Sequence, residues 1–233
     1  LQRFAAQHRQ RFTLPVIGIT GSNGKTVVKE WLWQVLHREE HIVRSPGSWN
    51  SQVGVPLSVL RIGPQHTLGL FEAGISKPGE MAPLAAIIRP TIGVLTMLGD
   101  AHDDGFRHLF EPTAKAREKV SLFHNAATWI GPADAVDNGL LPGTMRRSWS
   151  RDPDSAAFVV CRSDQQEGES TVLTVRSGDH EFQCRVPFTD DASIANALTC
   201  ITVCLHLGRS PAWIAEHIPQ LVPVDMRLRT VQG

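Results

Sequence analysis

The sequence has no excess of either charge: 23 Lys and Arg face 23 Asp and Glu, for a formal net charge of zero. That excludes a broad electrostatic grip on nucleic acid or an anionic membrane, while leaving room for a local basic pocket. No apolar run reaches the length of a membrane span. Cysteine is scarce, with four in 233 residues and no Cys-x-x-Cys pair, so zinc-cluster and dithiol redox chemistry are excluded. Cys161 and Cys184 fall in different extended segments, and Cys200 and Cys204 lie one helical turn apart. They do not read as a disulfide framework, and free thiols in a reducing cytosol are expected. There is no signal-peptide pattern, internal repeat or low-complexity tract. The chain opens at Leu1 without Met and stops at Gly233, just after an extended-looking run over 222–231. Both ends read as cut, and a longer protein is expected.

What is present is enough to build a core. Hydrophobic residues make up 42% and charged residues 20%, which excludes disorder, and the even spread of apolar residues favours one large domain. Residues 1–12 are polar and basic, either a helix or the tail of a linker. The run Pro15-Val16-Ile17-Gly18-Ile19-Thr20 has no polar alternation and predicts a strand buried on both faces. A helix follows over 25–38, its apolar face carrying Val28, Trp31, Leu32, Val35 and Leu36 at three- and four-residue spacing. The alternation continues with strands over 41–44, 67–73, 91–98 and 127–130, and helices over 55–60, 79–88 and 111–123. Repeated strand and helix predict an α/β fold, a mainly parallel sheet with helices on both faces. Residues 131–153, rich in Gly, Pro and Asp, read as loops. Three β-like stretches come next, over 156–161, 171–176 and 181–187. The turn Ser177-Gly178-Asp179 predicts an antiparallel hairpin, so a small antiparallel section is expected in the second half. Helices over 192–207 and 211–218 complete the chain.

The strongest local signal is Thr20-Gly21-Ser22-Asn23-Gly24-Lys25-Thr26, placed between a strand and a helix. A glycine turn lets backbone N–H groups converge on phosphate oxygens, and the helix N-terminus adds positive potential. Lys25 is suited to reach the β/γ-phosphates, and the Thr26 hydroxyl to ligate Mg²⁺. The loop is a short variant, Gly-x-x-Gly-Lys-Thr. The bland alternative, an ordinary turn with a surface lysine, does not explain why strand, glycines, Lys and Thr coincide.

At this point the chain resembles the Mur ligases, the ATP-dependent amide-forming enzymes of peptidoglycan synthesis, through residues 20–26. Glu72, at the end of a strand, begins Glu72-Ala73-Gly74-Ile75-Ser76-Lys77-Pro78-Gly79-Glu80, similar to the family stretch whose glutamate binds Mg²⁺. Gly99-Asp100-Ala101-His102-Asp103-Asp104-Gly105-Phe106 resembles the subgroup that adds D-alanyl-D-alanine, where the histidine serves a second Mg²⁺. Lys119-Val120-Ser121-Leu122-Phe123 resembles the segment with the family's carbamylated lysine, and Lys115 competes for that assignment. A neutral lysine amine can add CO₂, and burial disfavours the charged form of lysine. Ser193-Ile194-Ala195-Asn196-Ala197-Leu198 is similar to a helix start whose asparagine lies near adenine, although Ala192-Ser193 replaces the usual His-Asn. The run from Ser45 to Pro56 resembles the loop facing the UDP-sugar-peptide substrate, with Asn50 and then Ser51 and Gln52 as contacts. Val222-Pro223-Val224-Asp225-Met226-Arg227-Leu228 is similar to the hinge ending the family's central domain, Arg227 matching an arginine near the phosphates.

The resemblance spans roughly residues 15–228 and implies a definite enzyme. ATP and two Mg²⁺ ions would serve addition of D-alanyl-D-alanine to UDP-N-acetylmuramoyl-tripeptide through an acyl phosphate, in the cytoplasm. It implies catalytic roles for Lys25, Glu72, His102 and Lys119, and nucleotide contacts from Gly21 to Thr26, Asn196 and Arg227. It also implies a division into a linker over 1–14, a central ATP-binding domain over 15–222 and a hinge over 223–233. The flanking ligase domains would be absent, leaving the isolated chain weak or inactive. Two other readings keep the fold: a kinase or another ligase of the folylpolyglutamate synthase kind, or a non-catalytic scaffold in a protein fused to an alanine racemase. Retained Lys25, Thr26, Glu72, His102 and Lys119 weigh against the scaffold.

Overall fold

The apolar run at the start of the chain forms strand β1, Val16–Thr20, buried along its whole length. A computed structural model describes residues 1–98, 112–137 and 145–224. Helix α1, Gln2–Arg9, precedes β1. After it come α2 (Lys25–Leu36), β2 (Ile42–Arg44), α3 (Gly54–Val59), β3 (Leu68–Glu72), α4 (Met81–Ile88) and β4 (Ile92–Leu95). The chain continues with α5 (Pro112–Val120), a 3-10 turn (Ser121–Phe123), β5 (Thr128–Pro132), α6 (Ala133–Asp137) and β6 (Met145–Ser150). Strands β7 (Val159–Glu167), β8 (Ser170–Ser177) and β9 (His180–Val186) lead into α7 (Asp191–His206) and α8 (Pro211–His217).

The nine strands among the described residues form one sheet in the order β2-β3-β1-β4-β5-β6-β7-β8-β9. Every pair from β2 to β7 is parallel, and β7 to β9 are antiparallel. The expected mainly parallel sheet with an antiparallel section is therefore present. The order runs one way from β1 to β3 and β2, and the other way to β4. In an open α/β sheet such a reversal leaves a crevice at the carboxyl ends of the strands, where ligands bind.

Side-chain alternation sends β1 into two cores. Ile17 and Ile19 join Val28, Trp31, Leu32 and Leu198 on the face covered by α2 and α7. Val16 joins Val55, Val59, Leu84, Ile88 and Phe123 on the face covered by α3, α4 and the 3-10 turn. Fully burying each such side chain contributes roughly 1.5–3 kcal/mol, so both layers are held by apolar area. Residues 2–9 are a helix packed against α3 and α4. Buried Arg9 ties them down: its guanidinium donates to the Ile88 carbonyl at 2.9 Å and the Arg89 carbonyl at 3.2 Å, closing the C-terminal end of α4.

One expectation fails. Residues 131–153 are not all loop, because α6 and β6 lie inside them, and β6 is a central strand pairing β5 and β7. Its sequence, Met145-Arg146-Arg147-Ser148-Trp149-Ser150, buries only Trp149, so apolar periodicity could not reveal it. Strand β7 also runs six exposed polar residues beyond the predicted end, continued by pairing with β8. The predicted hairpin forms, with Gly178 at φ 58° and Ser177 opposite His180.

Candidate active site

The glycine loop sits at the carboxyl end of β1. Gly24 has φ 83° and stands at the N-cap of α2, a conformation that costs any L side chain. A Cβ there would also meet Asn196 Oδ1 at 2.3 Å, so α7 closes on the loop from above. Gly21 has no such room either, since its Cβ would lie 2.0 Å from Thr96 Oγ1. The loop is pinned to the strand next door: the Ser22 amide donates to the Met97 carbonyl at 2.8 Å, and Thr96 Oγ1 donates to the Asn23 carbonyl at 2.5 Å.

Beside it opens a cavity of about 490 Å³ lined by Gly21, Ser22, Lys25, Asn50, Ser51, Gln52, Lys115 and Lys119, among others. Three lysines thus face one space. Lys25 Nζ folds back on its own loop, donating to the Gly21 and Ser22 carbonyls at 3.0 and 3.1 Å. Burial holds the Lys25 amine below its ordinary pKa; Glu72 opposes that shift and Lys115 adds to it. Lys119 Nζ donates to Ser22 Oγ at 2.8 Å, across 97 residues of sequence. Lys115 and Lys119 lie four apart on α5 and are both buried, so one helix face presents both to the cavity.

Glu72 ends β3, fully buried and without a place in the cavity wall. Asn50 bridges the two, lining the cavity while its Nδ2 donates to Glu72 Oε1 at 2.8 Å. Glu72 Oε2 has no hydrogen-bond partner among the described residues. It faces Lys29 Nζ at 3.5 Å. Ser51 Oγ accepts from the Gly54 amide at 3.2 Å, at the start of α3. The remaining wall, residues 74–80, is fastened by two carboxylates: Glu80 accepts from the Ser76 and Lys77 amides, and Glu118 from those of Gly79 and Met81.

The structure therefore gathers Gly21, Ser22, Lys25, Asn50, Ser51 and Lys119 around one cavity, with Glu72 behind Asn50. Thr26 lines a separate cavity of about 280 Å³, shared with Glu30, Gln34, Gly47, Pro223 and Val224. Asn196, 7% exposed, packs on Gly24. His102 and Arg227 lie outside the described residues. Sequence reasoning missed Lys29, Thr96 and Glu118. The only sequence signal for Lys29 is its position four residues after Lys25, one turn along the same helix.

The pattern that defines the Mur ligase middle domain matches residues 19–204. The chain belongs to the Mur ligase family. Among the relatives, the UDP-N-acetylmuramoyl-tripeptide–D-alanyl-D-alanine ligase of Synechocystis sp. is 36% identical over 148 residues, covering 64% of this chain and 32% of that protein. The enzyme of the same name from Bacillus subtilis is 25% identical over 237 residues, covering 100% of this chain and 50% of that protein. The chain thus spans a third to a half of these two relatives. The crystal structure of MurF from Acinetobacter baumannii superposes with a TM-score of 0.85 at 23% identity, covering 100% of this chain and 51% of that one. The MurF ligase from Thermotoga maritima, solved in complex with ADP, gives 0.80 at 22% identity, covering 92% of this chain and 51% of that one. Both share this chain's fold over about half of their own length.

Proposed function

We propose that this chain is the ATP-binding portion of a ligase that adds D-alanyl-D-alanine to UDP-N-acetylmuramoyl-tripeptide. The observation that carries the reading is the convergence of Lys25, Ser22 and Lys119 on one cavity at the sheet's switch point, with buried Glu72 behind Asn50. The relatives named for this reaction give the substrates; the site gives the chemistry.

In this reading the backbone of residues 21–24 and the Lys25 ammonium receive the β/γ-phosphates of ATP. Lys25 must first leave the Gly21 and Ser22 carbonyls, so ATP takes the place of an internal contact. The γ-phosphoryl then passes to the tripeptide carboxylate, giving an acyl phosphate and ADP. The amine of D-alanyl-D-alanine attacks the acyl carbon, forming the amide and releasing phosphate. Lys25 opposes charge on the transferring group, the electrostatic term that dominates phosphoryl transfer. Asn50 and Ser51 lie on the wall where the muramoyl-peptide enters.

The donors present suit Mg²⁺, a hard cation bound through few protein carboxylates and completed by phosphate and water. Glu72 Oε2, at the end of β3, is a buried carboxylate oxygen without a hydrogen bond, and Thr26, next to Lys25 on α2, supplies a hydroxyl. Glu72 and Thr26 would hold one ion, and His102 with carbamylated Lys119 a second. When bound, Mg²⁺ neutralises phosphate charge. Carbamylation of Lys119 would replace its bond to Ser22 Oγ with an anionic group, detectable as a mass increase under CO₂.

The test is phosphate release from Mg·ATP by the intact protein with UDP-muramoyl-tripeptide, with and without D-alanyl-D-alanine. Release that requires both, and falls by roughly 10²-fold or more in Lys25→Ala, is the expected result. ATP binding without stimulation by either substrate would overturn the assignment and point to another acceptor.

A further inference from the structure

Lys29 is a fully buried lysine outside the cavity, yet it touches the segments that build the site. It sits on α2 one turn beyond Lys25. Its Nζ donates to the Ser45 carbonyl at 2.8 Å and to the Gly47 carbonyl, pairs with Glu30 Oε1 at 3.1 Å, and faces Glu72 Oε2 at 3.5 Å. Burying an ammonium is costly unless each proton finds an acceptor, and here oxygens on three segments supply them. Charge is balanced locally: Glu72, Lys29, Glu30 and Arg44 alternate in sign, Arg44 Nε meeting Glu30 Oε2 at 2.9 Å while its guanidinium lies 3.8 Å from the Trp33 ring centre.

From this geometry we infer that Lys29 is a positioning residue, which sets the Glu72 carboxylate and the Asn50 loop in register for a divalent cation. The inference rests on the reading of Glu72 as the metal carboxylate. Three features support it. The contacts of Lys29 to Ser45, Gly47 and Glu30 are all shorter than its contact to Glu72, so Lys29 stays anchored when Glu72 turns to a cation. The 45–47 turn it holds leads into Asn50, whose amide grips Glu72 Oε1 and whose carbonyl accepts from the Gly74 amide at 2.9 Å. A carboxylate accepts about four hydrogen bonds or ligand contacts, so one bond from Asn50 and one distant ammonium leave room for a metal.

The test uses the intact protein with Mn²⁺ as the probe, its binding read by electron paramagnetic resonance in the presence of a non-hydrolysable ATP analogue. Binding of the same analogue in EDTA is measured alongside. Lys29→Met is expected to weaken Mn²⁺ binding roughly tenfold or more, the usual effect of losing a partner that orients a metal ligand, while analogue binding in EDTA stays unchanged. Lys29→Gln, which keeps a donor near the Ser45 carbonyl without the charge, repeats the comparison if Lys29→Met does not fold. Glu72→Gln separates the two levels of the argument. If Glu72→Gln weakens Mn²⁺ binding and the Lys29 variants do not, the positioning role falls and the metal reading stands. If Glu72→Gln has no effect, both fall. Tighter Mn²⁺ binding in the Lys29 variants would also overturn the inference, since Lys29 would then be a competitor of the cation.

Discussion

The two halves of this molecule treat charge in opposite ways. Before residue 120 the buried side chains include Arg9, Lys29, Glu72, Lys115 and Lys119. After it, the described residues bury no Lys, Arg, Asp or Glu; the buried polar groups are Thr128, Thr171, Asn196, Thr199 and Thr202. The four cysteines lie there too, all buried, with burial pushing the Cys161 thiol up to about 11 and those of Cys184 and Cys204 to about 12. Ion pairs in that half, such as Arg151 with Asp164 and Asp191, stay at the surface. Since a buried charge costs several kcal/mol unless fully partnered, the first half carries a burden that stability alone does not explain. The second half is an apolar buttress, and the two meet where Asn196 packs on Gly24.

The contrast is sharpest at Lys29 and Glu72. Lys29→Met or Glu72→Gln alone is expected to lower stability by about 3–5 kcal/mol, because each strands a partner, while the double variant costs less than the sum of the two. Chemical denaturation checks this; additive losses would break the picture of a coupled buried pair. Gly24→Ala tests the meeting point. The positive φ alone costs about 1–2 kcal/mol, and the clash with Asn196 Oδ1 adds to it, so the melting temperature falls and nucleotide binding is lost together.

Smaller effects belong to the second half. Asp190 caps α7, accepting from the Ser193 amide at 2.8 Å. Burial pushes its carboxyl up, but hydrogen bonds from Ser193 and neighbouring backbone amides outweigh that and hold it below the usual value. A depressed carboxyl stabilises the fold above its unfolded pKa of about 3.9, and the gain disappears as pH falls through the lower folded value. Asp190→Ala is therefore expected to cost about 1 kcal/mol at neutral pH and less once the wild-type carboxyl is protonated, read from melting curves at several pH values. Arg151→Ala, removing two surface ion pairs, is expected to change stability by about 0–1 kcal/mol and less at high salt. A larger loss would show that the second half also depends on charge.

Much of this was legible in the residues. Val16–Thr20 had to be a buried strand, since the run has no polar alternation, and Gly21 and Gly24 mark a tight strand-to-helix turn because that requirement is local to the backbone. Helix α7 and the Gly178 hairpin follow from periodicity and turn chemistry for the same reason. Strand β6 was not legible, because neighbours on both sides supply its hydrogen bonds while its side chains remain largely polar.

Tertiary structure decided what surrounds the loop. The bond from Lys119 to Ser22 closes a gap of 97 residues, and that from Asn50 to Glu72 a gap of 22. Lys29 was passed over in the sequence, and folding placed two carbonyls and two carboxylates around it. Sequence determines the conformations that a short stretch of backbone can hold by itself. Which charges are buried, and which partners make that burial tolerable, is set only when distant strands align their carboxyl ends in one sheet.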